Sequence, residues 1–260
     1  MFRLVATDLD GTIVRSDGTI SERTRRALES AERAGALVVF VTGRPPRWMH
    51  EVAVATGHRG LAICCNGAVV YDLHDESIVE RRPLEPRVLR SVAGTLRAEL
   101  PDVAFAVEVG DDFFREDIYR PTFDPGPEAI RHVDELLAAP AVKLLVRHPT
   151  LGPDELLRRA RHVVGDDATL VHSSSEGLLE ISAPGVTKAS ALASFAAERG
   201  ITAARVIAFG DMPNDVPMLA WAGHSVAMAN AHADALAVAD EVGPSNDDDG
   251  VAAVLERLFG

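Results

Sequence analysis

The sequence predicts an α/β protein, with a parallel-sheet core and an α+β domain inserted into it. Three observations carry this. Apolar runs such as ALVVFV at 36–41 and RVIAFG at 205–210 alternate with amphipathic helical stretches in the first and last parts of the chain. Runs of this kind suit strands buried on both faces of a parallel sheet. From about residue 84 to 183 the texture changes to short strand-like stretches grouped with helices, as in an α+β arrangement. Finally, the polar clusters DLDGT, TGR and GDMPND follow directly on three of the apolar runs.

RLVATD at 3–8 reads as the first strand, and Asp17-Gly18 as a turn. Ser21 suits an N-cap for a helix to Ala34, with Ala27, Leu28, Ala31 and Ala34 as its apolar stripe and Gly35 as its left-handed stop. ALVVFV then completes a strand–helix–strand unit. A helix is expected over 47–56, a third strand over 61–65, and an Asn66-Gly67 hairpin into AVVYDL. The C-terminal part repeats the alternation: a helix from about 187 to before Gly200, a strand at 205–210, a helix at 214–221 and a strand at 224–229. A short helix, a short strand and the helix VAAVLERLF close it.

Pro83 and Pro86 mark the start of the insert, and Pro184-Gly185 its return. Inside it we expect a helix at 87–99, strands at 103–109 and in FFRED, a proline-rich loop at 121–127 and a helix near 128–138. A strand at 142–148, a helix at 153–164 and the strands TLVHS and LLEIS follow. The expected division is therefore 1–83 with 184–260 as a discontinuous parallel-sheet domain, and 84–183 as a second domain inserted into it.

The 260 residues are 47% apolar and 25% charged, as in ordinary globular proteins. A net charge of −13 argues against nucleic acid and anionic membrane partners. The sequence holds no apolar run of membrane-spanning length, and its start reads as a strand rather than a secretory signal, so a cytoplasmic location is expected. Cys64 and Cys65 are adjacent, a poor geometry for a disulfide, and read as buried small residues. Oligomeric state is not legible in one sequence.

Asp8 and Asp10 are alternate residues at a strand end and share one side. Two like charges that close are costly unless a cation or a proton lies between them. Each polar cluster has a plainer reading by itself: a solvated loop for DLDGT, a capping hydroxyl for Thr42, a surface amine for Lys188, a turn for Asp211, Asn214 and Asp215. Three of the four directly follow strands, and the carboxyl edge of a parallel sheet is where ligands bind. One shared cleft follows. In it Asp8, the Asp10 carbonyl and Asp211 are hard oxygen ligands suited to Mg2+, with Asp215 beside them or bound through water. Thr42, the Gly43 amide, Lys188 and Asn214 offer donors to phosphate oxygens. Asp8 keeps an oxygen free to attack phosphorus, and Asp10 can protonate the leaving oxygen and then deprotonate water.

With these motifs in this order, the chain resembles the haloacid dehalogenase superfamily of phosphotransferases. ICCNGAVVYD, LLEISAPGVTKASAL, FGDMPNDVPML and SNDDDGVAAVLERL are similar to its Cof-type branch, which carries an inserted α/β cap. The resemblance implies a Rossmann-like core, Mg2+, and hydrolysis of small phosphate monoesters, often sugar phosphates. It implies Asp8 as nucleophile, Asp10 as acid/base, metal at Asp8, Asp10 and Asp211, and phosphate contacts from Leu9 (backbone), Thr42, Gly43, Lys188 and Asn214. Met212 stands where family members often have Asn.

Other residues have two readings. Arg44 can contact substrate or pair with a core acid, and Asn66-Gly67 can shape the cleft or simply make the hairpin. His172 and Ser173 to Ser175 can face substrate or sit in a cap loop, and the acids at 247–249 read as a solvated helix start. The sequence thus points to an Mg2+-dependent phosphatase acting on a small phosphorylated metabolite. A phosphomutase on the same scaffold and a non-catalytic phosphometabolite-binding protein are the alternatives.

Overall fold

Strand β1 (Leu4–Thr7) lies in the middle of an eight-stranded sheet. The structure, a computed structural model, describes residues 2–121, 128–173 and 177–260. It divides into two units: Met1–Glu80 with Thr187–Gly260, and Arg81–Val186. These junctions lie three residues outside the 83/84 and 183/184 boundaries expected from the prolines.

In the first unit, β1 is followed by α1 (Glu22–Arg33), β2 (Leu37–Val41), α2 (Met49–Thr56), β3 (Leu61–Cys64), β4 (Val69–Asp72) and β5 (Ser77–Arg81). The Ser21 side chain caps α1 by accepting from the Thr24 amide. After the insert come α6 (Lys188–Glu198), β12 (Val206–Gly210), α7 (Val216–Trp221), β13 (His224–Met228), α8 (Ala233–Val238), β14 (Glu241–Gly243) and α9 (Gly250–Phe259). The strand order is β14-β13-β12-β1-β2-β3-β4-β5, parallel from β14 to β3 and antiparallel at β3–β4. Leu4 and Ala6 of β1 face a cluster that includes Leu192 and Phe195 of α6 and Met218 and Leu219 of α7. On the other helix pair, α1 packs against α9. Truncating a fully buried leucine such as Leu4 to alanine costs about 2–5 kcal/mol. The core is thus a rigid platform for whatever projects from the strand ends.

The second unit contains α3 (Pro86–Glu99), β6 (Ala104–Val109), β7 (Asp112–Arg115), β8 (Glu128–Ile130), α4 (Val133–Leu136), β9 (Lys143–Arg147), α5 (Pro153–Val164), β10 (Thr169–Val171) and β11 (Leu178–Ser182). Its sheet order is β10-β11-β9-β6-β7-β8, antiparallel except for the β7–β8 pair. One face, with Phe105, Val107, Leu144, Val146, Leu179 and Ile181, buries against α3 and α5. The alternate residues carry Glu108, Lys143 and Glu180, all nearly fully buried.

Three local expectations are corrected. The helix expected near 128–138 is instead the strand β8 and the one-turn helix α4. Pairing of β8 with β7 overrides local helical preference, and the His132 ring accepts the Asp134 amide to start α4 only afterwards. The hairpin after β3 turns through Cys65, Asn66 and Gly67 rather than through Asn66-Gly67 alone. The acids at 247–249 are not simply solvated: Asp247 accepts from the backbone and hydroxyl of Ser16, and Asp249 pairs with Arg15. Both cysteines are buried, and neither is in a disulfide. Among the described residues no helix is long and apolar enough to cross a membrane.

Candidate active site

Beyond Thr7 the chain leaves the sheet in a tight turn. The amides of Thr12, Ile13 and Val14 all donate to the Leu9 carbonyl. Gly11 has φ +74°, and a Cβ there would lie 2.1 Å from Asp211 Oδ2. Only glycine therefore lets this turn approach the loop after β12. Thr12 Oγ1 donates to Asp211 Oδ1 at 3.1 Å, and the Asn230 side chain donates to the Gly11 carbonyl. Thr7 pairs with Phe40 and Phe209 in register, so Asp8, Thr42 and Asp211 all emerge at the carboxyl ends of adjacent parallel strands.

Lys188 opens α6, whose N-terminus is held by a capping box between Thr187 and Ser190. Its ammonium is buried and donates at 2.7 Å to both Asp8 Oδ1 and Asp215 Oδ1. The second oxygen of Asp215 accepts the amides of Asp211 and Met212, each at 3.0 Å. Asp8, Asp211 and Asp215 each present a carboxylate oxygen, and all three oxygens lie within 4.8 Å of one another.

One ammonium does not balance three carboxylates. Burial pushes the Asp8 carboxyl well above the usual aspartate range; Lys188 opposes this, and Asp215, Asp211 and Asp10 add to it. Burial, with Asp215 behind it, pushes Asp211 up to about 7 against the pull of Lys188. For Lys188, burial alone would lower the ammonium, but Asp215 and Asp8 outweigh it and hold it above the usual lysine range. The surplus charge must be met by a proton or by a cation. The oxygen-only donor set and its spacing fit a hard divalent cation.

The other residues expected to contact phosphate lie on several loops of this unit. Thr42 is fully buried, and its hydroxyl oxygen accepts the Arg44 amide at 3.0 Å. Gly43 lies between them. Asn214, 3% exposed, donates its amide Nδ2 to Asn66 Oδ1 at 3.0 Å. Its own Oδ1 is buried with no hydrogen-bond partner among the described residues. Leu9 is fully buried in the turn after β1.

The Asp10 side chain is not among the three clustered carboxylates. It is half exposed, and Arg44 grips it through both oxygens, at 2.8 Å from Nε and 2.5 Å from Nη2. Arg44 is thus paired with an acid, but with the exposed Asp10 of the site rather than with a core acid. His172 belongs to the second unit, is 2% exposed, and binds Asp154 through Nε2 at 2.9 Å, so it is no exposed loop residue. Ser173 donates to Glu180. Ser174 and Ser175 lie outside the described residues. Sequence reasoning missed Thr12 as a partner of Asp211 and left Asn66 with its hairpin. The threonine was quoted inside DLDGT, but its partner is 199 positions away.

The family model for haloacid dehalogenase-like hydrolases matches residues 5–255. A Bacillus subtilis relative, 5-amino-6-(5-phospho-D-ribitylamino)uracil phosphatase YcsE, is 30% identical over 98% of this chain and 95% of its own length. The chloroplastic endoribonuclease YBEY of Arabidopsis thaliana is also 30% identical over 98% of this chain, but the chain spans only 46% of that protein. Among solved structures, a haloacid dehalogenase-like hydrolase from B. subtilis superposes with a TM-score of 0.84 at 26% identity, covering 98% of this chain and 99% of that one.

Proposed function

Because this chain belongs to the haloacid dehalogenase-like hydrolase family, we propose that it is an Mg2+-dependent phosphatase of small phosphate monoesters, working through a phospho-aspartyl intermediate on Asp8. The observation that carries the reading is the buried Asp8–Lys188–Asp215 bridge beside Asp211, at the carboxyl edge of the sheet.

Lys188 holds one Asp8 oxygen, which orients the other for in-line attack on phosphorus. The phosphorus–oxygen bond to the leaving group breaks as the Asp8–phosphorus bond forms, and Asp10 gives its proton to the departing oxygen. Asp10 then takes a proton from water, which attacks the phosphorus and frees Asp8 with release of inorganic phosphate. Asp8, the Asp10 carbonyl and Asp211 would hold Mg2+, which when bound would supply charge neutralisation for the transferring group. Asp215 serves as a brace, since its two oxygens already accept from Lys188 and from two backbone amides. Thr42, the amides of Leu9 and Gly43, Lys188 and Asn214 donate to the phosphate oxygens. Arg44 holds Asp10 until a phosphate dianion competes for the guanidinium, which releases an Asp10 oxygen toward the leaving group.

The name of YcsE places a hydroxyl-rich phosphate monoester on that relative. We extend that substrate class, sugar phosphates included, to this chain and assign the choice among its members to the inserted unit. Phosphate release from a panel of such esters, with and without a bisphosphate activator, tests this against a mutase or a binding protein. Asp10→Asn should slow sugar phosphates at least ~10-fold more than p-nitrophenyl phosphate, whose leaving group needs little protonation. Equal losses on both would remove Asp10 from proton transfer.

A further inference from the structure

The turn that joins β3 to β4 does more than reverse the chain. Cys65, Asn66 and Gly67 are consecutive left-handed residues, with φ of 51°, 55° and 102°. Two of them carry side chains, for which this backbone is unfavourable, so the surroundings must hold it. They do so through the phosphate-type segments themselves. The Cys65 amide donates to the Arg44 carbonyl at 3.0 Å, and the Asn66 amide to the Thr42 carbonyl at 2.9 Å. A Cβ on Gly67 would lie 2.3 Å from the Thr187 carbonyl, so the turn presses directly on the start of the helix that carries Lys188. The Asn66 side chain accepts the Asn214 amide, 148 positions away.

We propose that Asn66 is a positioning residue, and that its turn sets Thr42, Lys188 and Asn214 in register for one phosphate group. The inference rests on the phosphatase reading above. A hairpin alone explains an Asn-Gly pair but leaves its side chain toward solvent; here Asn66 is 3% exposed and points at another loop of the site. A primary amide has a donor end and an acceptor end of nearly equal shape, so a partner must decide which faces a ligand. Reversing Asn214 would set its carbonyl oxygen against that of Asn66. Asn66 thus fixes the Asn214 amide with its second N–H available to a phosphate oxygen. Binding of a phosphoryl group needs such donors held within about half an ångström.

The test uses the full chain with Mg2+. Asn66→Gly keeps the left-handed backbone and deletes the whole carboxamide, including the acceptor for Asn214, and a cooperative thermal transition is expected to remain. Asn66→Ser, with a hydroxyl too short to reach Asn214, is the second variant should the first not fold. For p-nitrophenyl phosphate, Asn66→Gly should lower kcat/KM ~10- to 100-fold, with KM and the inhibition constant of inorganic phosphate rising more than kcat falls. Asn214→Ala should do the same, and the double variant should stay within about threefold of Asn214→Ala, because both changes remove one function. Losses that multiply, or an unchanged KM and phosphate inhibition in Asn66→Gly, would reduce the turn to a hairpin. Direct calorimetric binding of inorganic phosphate to wild type and variants keeps the two readings apart. Weaker binding in Asn66→Gly supports the positioning role even if no ester is hydrolysed, which would sink only the phosphatase reading. Equal binding, or none by the wild type, overturns the positioning role itself.

Discussion

Lys188 and Lys143 are both buried and both bound to carboxylates, one in each unit, yet their surroundings differ. Lys143 pairs with Glu180 and stands opposite Glu108 on the neighbouring strand, while Arg147 lies on the same face of that antiparallel sheet. Among the described residues, Glu108 and Glu180 on that face meet Lys143, Arg147 and Arg115, so positive charge there is not in deficit. Lys188 sits at the ends of parallel strands, where Asp8, Asp211 and Asp215 converge on a single ammonium. A set not short of positive charge is complete by itself; one that is short calls for something that the chain does not provide. Location repeats the contrast, because the faces of a sheet are packed whereas the ends of parallel strands open into loops.

The strongest way to break this comparison is at Asp8. Asp8→Asn keeps the shape and removes both the charge and the oxygen proposed to attack phosphorus. Hydrolysis should fall at least ~10³-fold, about 4 kcal/mol of transition-state stabilisation. Steady-state rates within tenfold of wild type would show that the crowded carboxylates serve something other than nucleophilic attack.

Removing divalent cations comes next. Excess chelator should cut turnover at least ~100-fold, with full recovery on adding Mg2+. The same reagent exposes the charge surplus in the folding equilibrium. Asp8 and Asp211 are raised in the folded protein above the ordinary value of 3.8, Asp211 to about 7. Between those values the native state binds more protons than the unfolded chain, so without metal stability falls as pH rises from about 4 to 7. Saturating Mg2+ should flatten that fall, because it favours the ionised carboxylates and binds the native state alone. Melting temperatures across that range, in chelator and in Mg2+, check the sign; parallel curves would mean that no cation enters the cluster.

What the sequence made legible follows the same division between local and distant. Apolar strands with polar residues just beyond them are local patterns, so Asp8, Thr42 and Asp211 could be placed at one sheet edge in advance. The β8 segment lacks such a pattern: three residues at an edge become a strand only through β7. Asn66 with Asn214, Thr12 with Asp211 and Arg15 with Asp249 are partnerships across 148, 199 and 234 positions, and no periodicity announces them. Asp10 shows a further limit. Its spacing from Asp8 suggests one side of a strand end, but β1 stops at Thr7 and the chain turns, and Asp10 pairs with Arg44 rather than joining the other carboxylates.

The smallest effect on turnover is expected at Lys143, and it sharpens the contrast most. Lys143→Met alone leaves Glu180 buried without the ammonium it is bonded to, and breaking such a pair costs about 3–5 kcal/mol of stability. Adding Glu180→Leu removes the stranded charge, and replacement of a whole buried pair by apolar groups is close to neutral or stabilising. The double variant should therefore melt well above the single one. With Mg2+ its kcat/KM for p-nitrophenyl phosphate should stay within about threefold of the parent. Lys188→Met should do the opposite and lose turnover at least ~100-fold, because the ammonium that orients Asp8 has no substitute in the cluster. If the Lys143–Glu180 double variant lost turnover as severely as Lys188→Met while still melting cooperatively, the balanced pair would belong to the chemistry, and charge imbalance would no longer separate the two lysines.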